Sequence, residues 1–289
     1  MTCQDTSTYQ DIRYELTDRV LTLTINRPEQ RNTVTYRVLD ELIDAFRHAG
    51  EDEEVRAVVV TGAGRYFSAG TDLASRDGYN ATADDFKPLR GGTRDVGGIL
   101  AEIIYDLPKP VIAAMNGTAV GIGITMTLPM DVRIVAEGAK LGLPFTRRGI
   151  VPESCANFFL PRVVGIATAV EWATSGRLFG PDEALRAGLV SRVLPAAEVL
   201  PAAQALAREI AENAAPVAVA LTRQLMWKLL EADHPRAANR LESLALRAVT
   251  GSPDTTEGIT AFREKRPPRF TQRLADDLPD FYPWWNADE

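Results

Sequence analysis

Cysteine and histidine are scarce in this 289-residue chain, with only two of each: Cys3 and Cys155, His48 and His234. Two cysteines cannot build a disulfide framework, and their rarity suggests a reducing compartment. His48 lies among charged residues and His234 in Asp-His-Pro, so both are expected at the solvated surface. A metal or triad role would need converging partners that the sequence does not offer. No apolar run approaches the ~18–20 residues that cross a bilayer. Residues 1–10 lack the basic start and apolar core of a signal peptide, so the cytosol is the expected location and no membrane partner is expected. Basic residues are also in the minority, 32 Lys and Arg against 39 Asp and Glu, a net charge of −7. That balance argues against a nucleic-acid partner.

Several catalytic signatures are missing too. Gly121-x-Gly123 is followed by Met126 where a dinucleotide fingerprint needs its third glycine. There is no phosphate-loop Gly-Lys-Ser/Thr, and Tyr66 stands where a Gly-x-Ser-x-Gly elbow around Ser68 requires glycine.

What remains is an ordinary globular composition, 45% apolar and 25% charged, enough for a core without metal or disulfide staples. Leu21, Leu23 and Ile25 alternate with Thr22 and Thr24, the period of a half-buried strand. A turn at Thr17-Asp18 pairs it with Ile12–Leu16 as a hairpin. Leu39, Leu42, Ile43 and Phe46 recur at helical spacing. Val58–Val60, Val111–Ala114 and Val132–Ala136 are short continuous apolar runs, as in the buried parallel sheet of an α/β protein. From Ala196 onward the texture becomes Ala-rich amphipathic helix, over roughly 198–213, 216–231, 235–250 and 254–264. The chain thus divides into a core, 1–195, and a helical region, 196–289. The aromatic end, Phe281 to Trp285, is expected to pack on the body or on a partner subunit.

Two glycine-bearing turns follow buried strands. One is Arg65-Tyr66-Phe67-Ser68-Ala69-Gly70-Thr71-Asp72-Leu73, the other Asn116-Gly117-Thr118-Ala119-Val120-Gly121-Ile122-Gly123. Small residues past the C-terminal end of a strand let a ligand approach the backbone. A helix starting at Thr71 or Ile122 would aim free N–H groups at that ligand, and two converging on one oxygen form an oxyanion hole. Taken singly, each is equally well a plain tight turn between strand and helix.

In order and spacing these segments resemble the crotonase superfamily, the enoyl-CoA hydratase/isomerase group. The likeness rests on Asn26-Arg27-Pro28, Arg31-Asn32, Phe67 to Leu73, Lys109-Pro110 to Asn116-Gly117, Ala119 to Gly123, Asp131 and Ala187-Gly188-Leu189-Val190, and spans roughly residues 12–265. The resemblance implies a spiral of ββα units with a C-terminal α-helical trimerisation region, assembled as a trimer or hexamer. It implies an acyl-CoA thioester as ligand and no cofactor beyond the coenzyme A moiety. The N–H groups at Thr71 and Ile122 would hold the thioester oxygen, with Ala69, Gly70, Asp72, Gly121 and Phe145 at the substrate. Arg27, Arg31 and Arg76 are candidates for the CoA phosphates, although Ala74 stands where a basic side chain is often found. Arg147-Arg148 would line the pocket rim or face solvent.

The hydratases of that family use two glutamates, at positions that here hold Thr125 and Phe145. Neither can do a carboxylate's work. Glu153, in Pro152-Glu153-Ser154-Cys155, matches instead the single glutamate of the peroxisomal-type Δ3,Δ2-enoyl-CoA isomerases. One carboxylate near C2 and C4 can shift a double bond without water, and an apolar Phe145 would raise its pKa. The opposing view is that Glu153 merely begins the helix over Ala156–Leu160, whose dipole would lower its pKa. The expectation is enoyl-CoA isomerisation by Glu153. The alternatives are an enoyl-CoA hydratase and a non-catalytic acyl-CoA-binding trimer.

Overall fold

The computed structural model describes residues 9–72, 87–89 and 92–286. Leu73, Ala74 and Arg76 lie outside them, as does Cys3. Strands β1 (Ile12–Thr17) and β2 (Val20–Ile25) form the expected antiparallel hairpin. Its turn residues, Asp18 and Arg19, have φ of 49° and 62°. That left-handed pair lets a two-residue loop follow the twist of the strands.

Helix α1 (Tyr36–Glu51), capped by the Thr35 hydroxyl, leads into β3 (Ala57–Gly62) and β4 (Tyr66–Ser68). A small antiparallel pair, β5 (Lys87–Leu89) and β6 (Gly92–Arg94), precedes α2 (Val96–Asp106). Then come β7 (Val111–Met115), β8 (Thr118–Val120) and α3 (Ile122–Thr125), and after them β9 (Val132–Ala136), β10 (Leu141–Gly142) and α4 (Ala156–Val164). Helix α5 (Ile166–Ser175), β11 (Leu178–Phe179), α6 (Pro181–Arg186) and β12 (Arg192–Leu194) close the core.

Two sheets result. The larger runs β1-β2-β3-β7-β9-β12, parallel from β2 onward, and the smaller runs β11-β10-β8-β4. In each of three successive ββα units the first strand (β3, β7, β9) joins the large sheet and the second (β4, β8, β10) the small one. The chain therefore spirals between two layers, as the resemblance implies. Alternate residues explain why the large sheet is apolar throughout. Val58 and Val60 face the main core with Ala113 and Met115, whereas Ala57, Val59, Ile112 and Ala114 face the other way.

That second face is covered by α7 (Ala196–Asn213), whose Val199, Ala203, Ala207 and Ala211 lie against it. Small side chains every four residues let the helix axis approach the strands. The cover corrects one expectation: β2 is buried on both faces, Thr22 and Thr24 included, because α7 lies over them and Gln204 Nε2 donates to Thr22 Oγ1 at 3.1 Å. A solvated face would have left the threonines exposed.

Helices α8 (Pro216–Lys228), α9 (Pro235–Val249) and α10 (Pro253–Glu264) follow within a few residues of the expected bounds, and a short α11 (Leu274–Asp277), which was not expected, comes after them. Helix α8 is bolted to the body through Arg223, which is buried. Its Nε donates to Asp131 Oδ2 at 2.9 Å and its other nitrogens to the carbonyls of Ile104, Tyr105 and Leu107, the C-terminal end of α2. Trp227 Nε1 donates to Asp131 Oδ1 at 2.7 Å. The aromatic end packs on the body: Phe281, Tyr282 and Trp284 join Val217 and Leu221 of α8, and Lys228 lies 4.3 Å from the Trp285 ring centre. His234 is exposed, as expected, and its Nδ1 accepts the Arg236 N–H at the start of α9. His48 is partly buried rather than fully solvated, its ring 5.8 Å from that of Tyr14.

Candidate active site

The two glycine-bearing turns come together at the C-terminal ends of β4 and β8, which pair in parallel. Gly70 and Gly121 have φ of +98° and +58°, backbone conformations that side chains oppose. Each turns the next N–H out of the strand ladder. At Thr71 the neighbouring bridge to Val34 uses Gly70 O and the Asp72 N–H, leaving the Thr71 N–H unused. Ile122 is the first residue of α3, where no turn of helix precedes it to accept its N–H. Among the described residues neither N–H has an acceptor. The helix expected at Ile122 is present, whereas Thr71 carries an isolated bridge instead.

Both residues line a cleft that opens to solvent. Ala69, Gly70, Gly121, Phe145 and Glu153 line it with them. Its walls are largely apolar, supplied by Val34, Leu39, Val120, Pro144, Ile150 and Val151. Arg148 stands at the cleft as well, with Nη1 donating to Pro144 O, while Arg147 reaches back to Ser175 O.

Arg27, Arg31 and Asp72 lie elsewhere. The Arg27 guanidinium donates to Thr33 O at 2.6 Å and lies 3.3 Å from Asp72 and 3.7 Å from Asp11. Its charge is thus already matched by two carboxylates, and Asp72 is engaged in the same latch. Arg31 sits 5.9 Å from the Tyr66 ring centre. Buried Asn32 donates to Ala63 O and Tyr66 O and so holds the turn that leads from β3 into β4.

Glu153 is the carboxylate of this cleft with a strongly altered acidity. Its pKa is pushed up to about 7, first by burial and then by the negative charge of Asp95; hydrogen bonds from Ser154 and Thr125 act the other way. The side chain is nonetheless partly open to the cleft it lines. Thr125 Oγ1 donates to Oε1 at 2.7 Å and Ser154 Oγ donates to Oε2. The helix after it, α4, begins only at Ala156, and burial is the largest influence on the Glu153 carboxyl.

Sequence reasoning missed Asp95. It caps α2, accepting the N–H groups of Gly97 at 3.1 Å and Gly98 at 2.9 Å, and it also accepts the Ser154 N–H at 2.8 Å. An Asp ahead of Val96-Gly97-Gly98 is a readable cap signal. Its arrival beside residue 153 is a tertiary fact with no local signature. Among the described residues no cluster of three or more His, Cys, Asp or Glu is placed to hold a metal ion, and no helix is long and apolar enough to cross a membrane.

Residues 15–273 match the family model described as enoyl-CoA hydratase/isomerase. The chain is 41% identical over 258 residues to the enoyl-CoA hydratase ACTT3 of Alternaria alternata, covering 89% of this chain and 84% of that one. It is 36% identical over 253 residues to the carnitinyl-CoA dehydratase of Escherichia coli K12, covering 86% and 94% respectively. The crystal structure of an enoyl-CoA hydratase from Bacillus anthracis superposes with a TM-score of 0.82 at 33% identity, covering 90% of this chain and 99% of that one. These are hydratase and dehydratase names. They do not single out the peroxisomal-type isomerases to which the position of Glu153 pointed.

Proposed function

Because this chain belongs to the enoyl-CoA hydratase/isomerase family, we propose that it polarises an enoyl-CoA thioester between the Thr71 and Ile122 N–H groups and moves the proton with Glu153. One observation carries the reading. A carboxylate with a pKa of about 7 shares an apolar cleft with two unused N–H groups on converging turns. The N–H pair stabilises the negative charge that grows on the thioester oxygen as an enolate forms. Each donor is worth about 3 kcal/mol of barrier in comparable sites. A base half-ionised near neutral pH both accepts and returns a proton efficiently.

Two reactions use this equipment. The first reading is reversible addition of water across the 2,3 double bond, favoured by the hydratase and dehydratase names of the relatives. Glu153 takes a proton from water as the water oxygen bonds to C3. The π electrons pass to the enolate, and the carboxylic acid then protonates C2. The second reading is isomerisation, favoured because Thr125 and Phe145 hold the places of the two hydratase glutamates. Glu153 would then remove a proton from C2 of a 3-enoyl thioester and return it at C4.

The test is to offer the protein 2-enoyl- and 3-enoyl-CoA and to repeat with Glu153→Gln. Hydration lost in the variant supports the first reading. Conversion of the 3-enoyl to the 2-enoyl thioester without water uptake supports the second. Turnover that survives the substitution removes Glu153 from the mechanism, and binding without turnover supports a non-catalytic acyl-CoA-binding protein.

We assign region 196–289 to assembly of a trimer. The support is the exposure of large apolar side chains on α8, α9 and α10, with Met226 71%, Leu246 66% and Phe262 84% exposed. Light scattering of the parent and of Phe262→Glu tests this, a trimer being expected for the first and a smaller species for the second.

A further inference from the structure

Glu153 sits on a turn that the backbone itself opposes. Ser154 and Cys155, neither of them glycine, have φ of 56° and 54° in succession. Such a turn persists only when neighbours hold it. Its one backbone N–H with a side-chain partner is that of Ser154, and the partner is Asp95. The same carboxylate takes the N–H groups of Gly97 and Gly98, the free donors at the start of α2.

The approach of α2 to this turn is close. A Cβ at Gly97 would lie 2.5 Å from Glu153 Oε2 and closer still to Ser154 Oγ. A helix start placed so near a carboxylate would ordinarily stabilise its charged form. Here Asp95 occupies the donors and brings a negative charge of its own.

We propose that Asp95 is a positioning residue for Glu153: it locks the strained turn that presents the base and withholds from that base the helix-terminal donors that would keep it ionised. The inference rests on the reading of Glu153 as the proton carrier. The raised pKa of Glu153, with Asp95 as its second cause, agrees with this arrangement. Among the described residues, the other groups at Glu153 or around its cleft are the Thr125 hydroxyl from α3, the Ser154 hydroxyl, the Cys155 thiol, pushed up to about 11 and therefore neutral, and Tyr36 and Arg148 of the cleft lining. Asp95 is the acidic neighbour among them.

The experiment follows the Glu153 carboxyl directly, by carbon-13 NMR of glutamate-labelled protein across pH, its signal identified by its disappearance in Glu153→Gln. Asp95→Asn keeps an oxygen for capping and removes the charge. Asp95→Ser does the same with a shorter side chain. The expected result is a midpoint near pH 7 in the parent and one lower by about one unit in the variants. The acid limb of kcat/KM should move by the same amount. A midpoint unchanged in both folded variants, or the failure of both to fold, overturns the proposal and leaves Asp95 a plain helix cap. Turnover that survives Glu153→Gln while the NMR midpoint still shifts would refute the catalytic reading and leave the Asp95–Glu153 coupling standing.

Discussion

Replacing Glu153 by glutamine should make the protein more stable, and increasingly so as pH rises. The folded state holds the Glu153 proton up to about pH 7, whereas an unconstrained glutamate releases it near 4.5. A group whose pKa is raised by folding adds its stability at low pH and loses it as pH climbs through the folded value. At 1.36 kcal/mol per unit, the total loss approaches about 3 kcal/mol at alkaline pH. Between about pH 5.5, where part of the loss has already occurred, and about pH 8.5, the remaining change is about 2 kcal/mol. Glutamine has no such titration. Its oxygen can accept from Thr125 as the carboxylate does, and its amide can donate to a reoriented Ser154 hydroxyl. Urea unfolding of parent and Glu153→Gln at the two pH values gives the difference. The variant's advantage should grow by about 2 kcal/mol with pH and then level off. An advantage that stays constant, or shrinks, would mean that Glu153 titrates normally and that burial does not govern its acidity.

Other consequences follow from the same geometry. Thr125→Val removes a hydrogen bond that holds the Glu153 pKa down, so the acid limb of kcat/KM should move to higher pH, opposite in sign to the Asp95 variants. Gly121→Ala forces a side chain onto a φ of +58° and should misdirect the Ile122 N–H, lowering kcat by about 10²-fold with little change in KM. Arg223→Ala leaves Asp131 without its charged partner and removes one donor each from the Ile104, Tyr105 and Leu107 carbonyls, and should cost about 3 kcal/mol in urea unfolding while sparing the cleft.

Much of this was legible from residue order because the large-sheet strands and long helices carry their period in the sequence. Val132–Ala136 was found to the residue, and the hairpin turn lies within a residue of its expected place. Strands of two or three residues, such as Leu141–Gly142 and Leu178–Phe179, are too short to show any period, so the small sheet could be expected only through the family resemblance. Solvation of Thr22 and Thr24 was misjudged because the covering helix lies about 180 residues away in sequence. Arg27 is the instructive case at the site. A basic residue beside a family motif suggests a phosphate ligand, yet two acids brought in by the fold, Asp11 and Asp72, take its charge. The unused N–H groups at Thr71 and Ile122 were readable because positive-φ glycines precede them. The surroundings of Glu153 were not, since Asp95, Thr125 and Glu153 meet only in three dimensions.

The most direct test of the account is a crystal structure of the protein with a non-reactive acyl-CoA thioester. The thioester oxygen should lie about 2.7–3.1 Å from both the Thr71 and Ile122 nitrogens, with the Glu153 carboxylate facing the acyl carbons next to it. A thioester seated elsewhere, or an oxygen held by side chains while those two N–H groups stay unused, would contradict it.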